Sequence, residues 1–399
     1  MKIANRIKNL GTETAFAVSA QAKEWADKGN KIYPFHLGDM NMSTPQNIID
    51  AANKYIVDGK NGYCPSEGIL PLREALAVDV GDKRGVSYNP DNVSVQPGGK
   101  PTIGKFIQAV MNPGDEVLYP NPGYPIYESQ IEYHGGIAMP YSYDQTITGF
   151  AIDIEKLKSS ITDKTTALIY NNYNNPISAE SSRKEMEALA QLAIEHDLWV
   201  LSDDAYYEIL YDTKPQSIVN IPGMRERTVI LYTFSKKFAM TGWRIGAAIG
   251  PENVIKVINK LNVNAESCTN HFHQHAMVEA VNGDKSSAKA ILSELRSRRD
   301  TAVSGLNDID GVNIAIPQCT FYLFPNVTKI MERKGIASVA ELQLGALHAS
   351  GVSFCTRDHF GRPQEGETEF YIRFAYSGIS VEEITEGMSK LKLYFESSD

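Results

Sequence analysis

Residues 233–246 read T-F-S-K-K-F-A-M-T-G-W-R-I-G and place a lysine, Lys236, between hydroxyl side chains and an arginine. The preceding run, residues 228–232, is T-V-I-L-Y, and its β-branched and aromatic composition predicts a buried strand. Lys236 is therefore expected just beyond the end of a strand, where α/β sheets carry their chemistry.

The side chains around Lys236 are those of a phosphate site. Thr233 and Ser235 flank the lysine, and Arg244 follows between two glycines. Hydroxyls combined with an arginine are typical of phosphate binding. A lysine in a partly desolvated pocket has a lowered pKa and can attack an aldehyde to form a Schiff base. Pyridoxal phosphate carries both an aldehyde and a phosphate, so these residues predict this cofactor.

The spacing resembles the lysine motif of the class I/II aminotransferases, S-x-S-K-x-x-x-x-x-G-x-R-x-G, of pyridoxal-phosphate fold type I. Thr233 replaces the first serine, and every other fixed position matches. Taken alone, the motif leaves open a solvated loop lysine and a surface arginine. The other motifs of the chain argue against that alternative.

Composition bounds the class of protein. At 399 residues the chain allows two or three domains of about 150 residues. It is 42% hydrophobic and 22% charged, which is ordinary for a globular protein. A net charge of -9 argues against nucleic acid or an anionic membrane as a partner. A small molecule is the expected partner.

The cysteines and the N-terminus favour a cytoplasmic location. The four cysteines lack C-x-x-C spacing, so neither zinc nor a disulfide framework is predicted. The N-terminus lacks the apolar core of a signal peptide, and no apolar run approaches the ~20 residues that span a bilayer.

Residues 35–45 read F-H-L-G-D-M-N-M-S-T-P and are similar to the family's L-x-x-G-x-P-D-F-x-T-P. Gly38, Thr44 and Pro45 match, and the resemblance implies that Gly38 backs the substrate. Met40 and Asn41 replace the usual Pro-Asp pair, which affects the expected contacts at the entrance rather than the fold.

Tyr63 begins a motif similar to the family's Y-x-x-x-x-G-x-x-x-L-R. The resemblance implies that Tyr63 reaches across a dimer interface to the neighbour's cofactor phosphate. The active unit would then be a homodimer with shared sites. A packed loop aromatic is the alternative for this residue.

Two further motifs concern the cofactor. Gly99 and Lys100 open a predicted helix, whose free N–H groups and dipole make an anion site. They match the family's phosphate turn. Tyr124 stands where the family has an aromatic that stacks on the pyridine ring. Core packing is the alternative for Tyr124.

Polar residues also follow two other predicted strands. Asn175 matches the second asparagine of the family's N-x-P-x-N-P-T-G, and Asp203 and Tyr206 match S-D-E-x-Y. The resemblance implies that Asn175 and Tyr206 bond the cofactor's phenolic oxygen and that Asn175 also meets substrate. A carboxylate at Asp203 would keep the pyridine nitrogen protonated, which makes the ring an electron sink. Solvated turn acids are the alternative.

Strands alternate with helices through residues 46–280, which predicts a largely parallel sheet covered on both faces. The resemblance implies an α/β protein of pyridoxal-phosphate fold type I. Its seven-stranded, mostly parallel sheet would include an antiparallel strand at residues 245–249. The expected domains are an N-terminal arm at 1–45 that belongs partly to the small domain, a large cofactor domain at 46–284 and a small α/β domain at 285–399.

Arg373 lies within a β pattern near the C-terminus, where an arginine is unusual for a core strand. It matches the family's arginine that grips the substrate α-carboxylate through a bidentate fork.

Two features are not explained by the motifs. His271 and His275 would share a helix face, but no nearby acid or cysteine completes a ligand set, so no metal is expected. Arg357 replaces a small residue in a loop that the resemblance places over the substrate. It is hypothesised to contact the substrate side chain, or to close the pocket by pairing with an acidic residue such as Asp358 or Asp39, the alternative being an outward, solvated arginine.

The resemblance implies transamination of an L-amino acid with a 2-oxo acid through an aldimine at Lys236, with catalysis by Lys236, Asp203 and Tyr206. Elimination, decarboxylation or cyclisation on the same cofactor is an alternative, because fold does not fix function. A non-catalytic cofactor-binding sensor is a further alternative, disfavoured by the presence of Lys236 and Asp203. The pattern does not identify the amino donor or acceptor.

Overall fold

Strands and helices alternate along most of the chain in this computed structural model, which describes residues 1–11 and 13–397. The strands are β1 (Tyr33–Pro34), β2 (Val93–Gln96), β3 (Glu116–Pro120), β4 (Ile137–Tyr141), β5 (Tyr143–Thr146), β6 (Gly149–Ile152), β7 (Thr165–Tyr170), β8 (Trp199–Asp203), β9 (Thr228–Thr233), β10 (Gly246–Ile249), β11 (Tyr322–Leu323), β12 (Val352–Ser353), β13 (Cys355–Thr356) and β14 (Ile372–Ala375). The α-helices are α1 (Ala15–Asp27), α2 (Gln46–Val57), α3 (Leu70–Arg84), α4 (Lys100–Val110), α5 (Ile126–Tyr133), α6 (Ile154–Ser159), α7 (Arg183–Glu195), α8 (Glu252–Ala265), α9 (His271–Asn282), α10 (Ser286–Asn307), α11 (Thr328–Lys334), α12 (Val339–Ser350) and α13 (Val381–Glu396).

The main sheet has seven strands in the order β2-β10-β9-β8-β7-β3-β4. Strand β10 runs antiparallel to both of its neighbours, whereas the other pairings are parallel. The predicted α/β class, the mostly parallel seven-stranded sheet and its antiparallel member are therefore confirmed.

Both faces of this sheet are covered. Along β9, Val229 and Leu231 belong to a hydrophobic cluster that includes residues of α4 and α8. Ile230 and Tyr232 belong to a second cluster that includes residues of α3, α7 and α9. Because successive side chains of a strand point to opposite faces, the near-continuous apolar run is what a strand buried on both sides requires.

Helix α7, which leads into β8, is stabilised by a capping box at its start. The Ser182 hydroxyl accepts a hydrogen bond from the Glu185 amide at 3.2 Å, and the Glu185 carboxylate accepts one from the Ser182 amide at 2.8 Å. The box satisfies donors that α7 leaves unpaired at its start.

A second, smaller α/β region contains the sheet β11-β14-β13 and helices α10–α13. The N-terminal part of the chain joins it, because β1 pairs in parallel with β12 through Tyr33 and Val352. Tyr33 and Phe35 also share a hydrophobic cluster with residues of 291–395. Construction of the smaller domain from both ends of the chain is confirmed, while the boundaries at 45/46 and 284/285 remain predictions.

No helix within the described residues is both long and apolar enough to cross a membrane.

Candidate active site

A cavity of about 580 Å³ opens at the carboxyl edge of the parallel strands. Carboxyl ends of parallel strands meet at one edge of a sheet, so Asp203 at the end of β8 and Thr233 at the end of β9 become neighbours. Nearly all of the residues predicted from the motifs line this cavity: Gly38, Gly99, Lys100, Tyr124, Asn175, Asp203, Tyr206, Thr233, Ser235, Lys236, Arg244 and Arg373.

Lys236 lies in the middle of the lining, in the loop after β9. Its Nζ donates to the backbone oxygen of Gly38 at 2.9 Å. Burial lowers the pKa of Lys236 to about 8, although the charge of Asp39 acts in the opposite direction. A substantial fraction of the amine is therefore neutral near neutral pH, which a nucleophile or general base requires.

One corner of the cavity is suited to an anion. The hydroxyl of Thr233 donates to that of Ser235 at 2.9 Å. Gly98 has a φ of +104°, and a Cβ added there would lie 2.2 Å from Arg244 Nη2, so only glycine admits the guanidinium this close to the backbone. A Cβ at Gly99 would lie 3.3 Å from Thr233 Cβ, which places the turn before α4 beside the hydroxyls. Hydroxyls, guanidinium and helix start thus meet in one place.

Asp203 is a buried carboxylate. Its Oδ2 accepts a hydrogen bond from the Tyr127 hydroxyl at 2.6 Å, and its Oδ1 accepts from the Ala205 amide at 3.1 Å. Burial raises the pKa of Asp203 to about 6, against the effect of the bond from Tyr127. Among the described residues no cationic side chain forms an ion pair with it. The position therefore suits a protonated ligand nitrogen.

Tyr206 and Gly38 both meet Tyr322, a residue that sequence reasoning did not assign to the site. The two tyrosine hydroxyls lie 2.6 Å apart. A Cβ at Gly38 would lie 2.3 Å from the Tyr322 hydroxyl oxygen, so a side chain there would displace Tyr322. Residues 317–322 read P-Q-C-T-F-Y and resemble the family's P-x-G-x-F-Y, so the sequence held a signal for Tyr322, but its position in the cavity follows only from the fold.

Arg373 is 4% exposed and its guanidinium is held between two rings, with Cζ 4.5 Å from the centroids of both Tyr322 and Phe360. Its Nη1 donates to Asn175 Oδ1 at 3.0 Å, and its Nη2 donates to the backbone oxygen of His36 at 2.7 Å. Its Nε is buried without a hydrogen-bond partner among the described residues. A buried guanidinium with an unused donor fits a carboxylate ligand.

Asn171 is the first asparagine of the N-x-P-x-N-P-T-G-like segment, but the sequence analysis gave it no role. Its Nδ2 donates to the backbone oxygen of Asp203 at 2.8 Å, and its Oδ1 accepts from the Asn175 amide at 3.0 Å. Asn171 thereby fixes the relative positions of the residues that end β7 and β8.

Lys100 lies at the start of α4, but its side chain has a partner that the sequence did not indicate. Lys100 Nζ forms an ion pair with the carboxylate of Glu13. The Tyr124 hydroxyl donates to Glu13 Oε1 at 2.5 Å, and burial raises the pKa of Tyr124. All three residues line the cavity.

Tyr63 is outside the cavity lining and is 89% exposed. Its expected contact across a dimer interface therefore stays a prediction. His271 and His275 share a helix face as expected, with ring centroids 5.2 Å apart, and His275 stacks on Tyr55.

One hypothesis for Arg357, that it pairs with an acidic residue, is confirmed in kind, but the expected substrate contact and the outward, solvated position are wrong. Arg357 does not line the cavity, it is buried rather than solvated, and its partner is neither Asp358 nor Asp39. Its Nη2 and Nε donate to the two carboxylate oxygens of Glu367 at 2.7 and 2.9 Å, and Nη2 also donates to Asn121 Oδ1 at 2.7 Å. Arg357 therefore holds together the loop that carries Phe360.

The chain is similar in sequence and in fold to known proteins. The sequence model of the family described as "Aminotransferase class I and II" matches residues 31–391. The chain is 32% identical to the aspartate aminotransferase of Bacillus sp. (strain YM-2), over 97% of this chain and 98% of that one. It is 29% identical to the asparagine–oxo-acid transaminase of Streptococcus mutans, over 99% of both chains. The structure of the aspartate aminotransferase from Thermus thermophilus with maleate superposes with a TM-score of 0.90 at 28% identity, over 99% of this chain and 100% of that one.

Proposed function

The chain belongs to the class I and II aminotransferases, and from that membership we propose how its own residues bind and convert an amino acid. Members of this family depend on pyridoxal phosphate, and the chain transfers amino groups between amino acids and oxo acids. The activity and cofactor predicted from the sequence are confirmed. The roles of individual residues, the donor and the assembly are proposals.

The cavity fits pyridoxal phosphate. The corner formed by Thr233, Ser235 and Arg244 would hold its phosphate. The carboxylate of Asp203, which is buried without a cationic partner in the described chain, would hold the protonated ring nitrogen. The hydroxyl of Tyr206 would meet its phenolic oxygen. When bound, the cofactor supplies an aldehyde carbon for the amino group and a ring that accepts electrons when the α-proton leaves.

The observation that carries the substrate assignment is the unused Nε of Arg373. A substrate α-carboxylate would accept hydrogen bonds from this side chain, whose position is fixed by Asn175 and by the rings of Tyr322 and Phe360. Binding of the α-carboxylate there orients the α-carbon toward Lys236.

Lys236 would move the proton. Its amine must leave the backbone oxygen of Gly38 to act. In its neutral form Nζ would take the proton from the substrate α-carbon, hold it as the ammonium and then give it up again to complete the transfer. A pKa of about 8, lowered by burial, suits one amine to both transfers.

We propose a four-carbon amino acid as donor, because the relatives' names include aspartate and asparagine. Mixing the holoenzyme with each of the twenty amino acids, and identifying the released 2-oxo acid by mass spectrometry, tests this. Fastest release from aspartate or asparagine is expected. Release from neither would contradict the proposed donor class, and release from no amino acid would contradict the proposed residue roles.

Arg373→Lys should lower kcat/KM for the preferred amino acid by about 10- to 150-fold, because a lysine cannot reproduce the fork geometry of a charge-assisted bond that contributes about 1.5 to 3 kcal/mol. The dissociation constant of pyridoxal phosphate should stay within about threefold of wild type. An equal loss of cofactor affinity would assign Arg373 to the cofactor instead of the substrate.

We also propose a homodimer in the cytoplasm. Free cysteines at all four positions fit a reducing compartment. The nearly full exposure of Tyr63 in a single chain fits a residue that completes a neighbour's site. Tyr63→Phe should weaken cofactor binding by about 1.5 to 3 kcal/mol, the contribution of one hydrogen bond to a charged acceptor. Sedimentation together with cofactor titration measures both properties, and a fully active monomer would exclude the shared site.

A further inference from the structure

The lysine that lines the cavity at the start of α4 is already neutralised. Lys100 is paired with Glu13, and Glu13 also accepts the hydrogen bond from Tyr124. The side chain of Lys100 is 47% exposed and that of Glu13 is 20% exposed, so the pair is open to a ligand on the cavity side.

Glu13 is fixed in this place by the segment that precedes α1. The Ser129 hydroxyl of α5 donates to the backbone oxygen of Gly11 at 3.2 Å. Arg6 lies over the ring of Tyr133, with Cζ 5.3 Å from the centroid. Contacts with α5 on the N-terminal side of Glu13 therefore direct its carboxylate toward the cavity.

The pair lies where a substrate side chain would end. With the α-carboxylate at Arg373 and the α-carbon at Lys236, the side chain must extend toward a wall not used by the cofactor. Three charged residues of the lining, Glu13, Lys100 and Asp39, have no role in the proposed binding. Asp39 accepts a hydrogen bond from the Thr241 hydroxyl at 2.6 Å, which leaves the ion pair of Glu13 and Lys100 for the substrate side chain. The charge of Glu13 raises the pKa of Lys236.

The charges of the pair distinguish between the side chains of two four-carbon amino acids. A second carboxylate at this wall would share one lysine with Glu13, and two carboxylates at one cation repel each other. A carboxamide has both an acceptor oxygen for Lys100 and N–H donors for Glu13, so it can bond to both members without breaking the pair.

We propose that Glu13 determines specificity: paired with Lys100, it makes the cavity select an amino acid with a side-chain carboxamide over one with a side-chain carboxylate. This selection rests on the proposed binding of the α-carboxylate at Arg373.

The test uses three unreactive four-carbon acids, succinamate, succinate and butanoate, which share one carboxylate and differ at the other end. Their dissociation constants are measured calorimetrically with the holoenzyme. Wild type should bind succinamate tightest. Glu13→Gln should strengthen succinate relative to succinamate by about 10- to 100-fold, because the charge of Lys100 becomes available to it. Lys100→Met, a second and independent variant, should abolish the advantage of succinamate over butanoate.

A matched control is Glu24→Gln. Glu24 forms an exposed ion pair with Lys28 on α1, away from the cavity, and its loss should leave all three constants unchanged. Tightest binding of succinate by wild type, or an unchanged ratio in Glu13→Gln, would overturn the inference. If either of these results is found for an enzyme that still releases oxo acid from aspartate, only the inference about Glu13 fails and the proposed function stands. Failure of the enzyme to bind any of the three acids would count against both the inference and the proposed function.

Discussion

Replacing Lys236 by alanine is expected to lower the rate of oxo-acid release by at least about 10⁴-fold, because one amine is the nucleophile toward the cofactor and the general base. Borohydride treatment of the wild-type holoenzyme should attach the cofactor mass to the peptide that contains Lys236. The alanine variant should gain no such mass.

Lys237→Ala is the matched control. This neighbouring lysine does not line the cavity, and its Nζ donates to Glu208 at 2.8 Å. The control should keep both the attached mass and turnover within a few-fold of wild type. Attachment at another lysine in Lys236→Ala, or its loss in Lys237→Ala, would reassign the reactive amine.

Asp203→Asn is expected to cut turnover by about 10- to 1,000-fold, since a close opposite charge shifts the pKa of a ring nitrogen by about 1 to 3 units. Asparagine preserves the size of the side chain and can still accept from Tyr127, so the cofactor should remain bound. Stopped-flow measurement of oxo-acid release gives the rate, and turnover within a few-fold of wild type would contradict the role.

Asp204→Asn is expected to lower stability and to leave turnover nearly unchanged, the reverse of the effects of Asp203→Asn. Asp204 pairs with Arg84 at 2.7 Å in the protein interior. Removing its charge should cost about 3 to 5 kcal/mol of the free energy of unfolding, because a buried cation is left unpaired. The rate of oxo-acid release per folded molecule should change little. Asp203 would then serve catalysis, and the neighbouring Asp204 would serve stability.

Asp203 also makes the stability of the cofactor-free protein depend on pH. Its folded-state pKa of about 6 lies above the ordinary aspartate pKa of 3.8, so the folded state holds this proton more tightly. The free energy of unfolding therefore falls as pH rises between those values, by on the order of 3 kcal/mol. This contribution should be missing in Asp203→Asn. Denaturant unfolding across the range compares the two proteins, and equal falls would contradict the raised pKa.

The sequence predicted the fold class, and nearly all of the predicted site residues line the cavity, because the relevant rules are local. Lys236 and Asp203 each follow an apolar run at a recognisable strand end, and parallel strands bring such ends together. The β-branched and aromatic composition of residues 320–324, T-F-Y-L-F, favours a longer strand than forms, since Thr320 has a φ of +60° and β11 begins at Tyr322.

The residues that were missed depend on contacts without sequence periodicity. Arg357 finds Glu367 across an irregular loop, and no spacing rule predicts that pairing. Glu13 precedes a helix, where an acidic residue would ordinarily be solvated, and only the fold brings it to Lys100.

The position of Glu13 affects how relatives can be sorted by substrate. The family model begins at residue 31, whereas Glu13 reaches the cavity from the segment docked on α5. Two enzymes could therefore agree throughout the matched region and still prefer different donors. Substitutions in the segment that precedes α1 would alter selectivity for the amino donor without disturbing the catalytic core. A directed-evolution library for donor selectivity can therefore be confined to that segment.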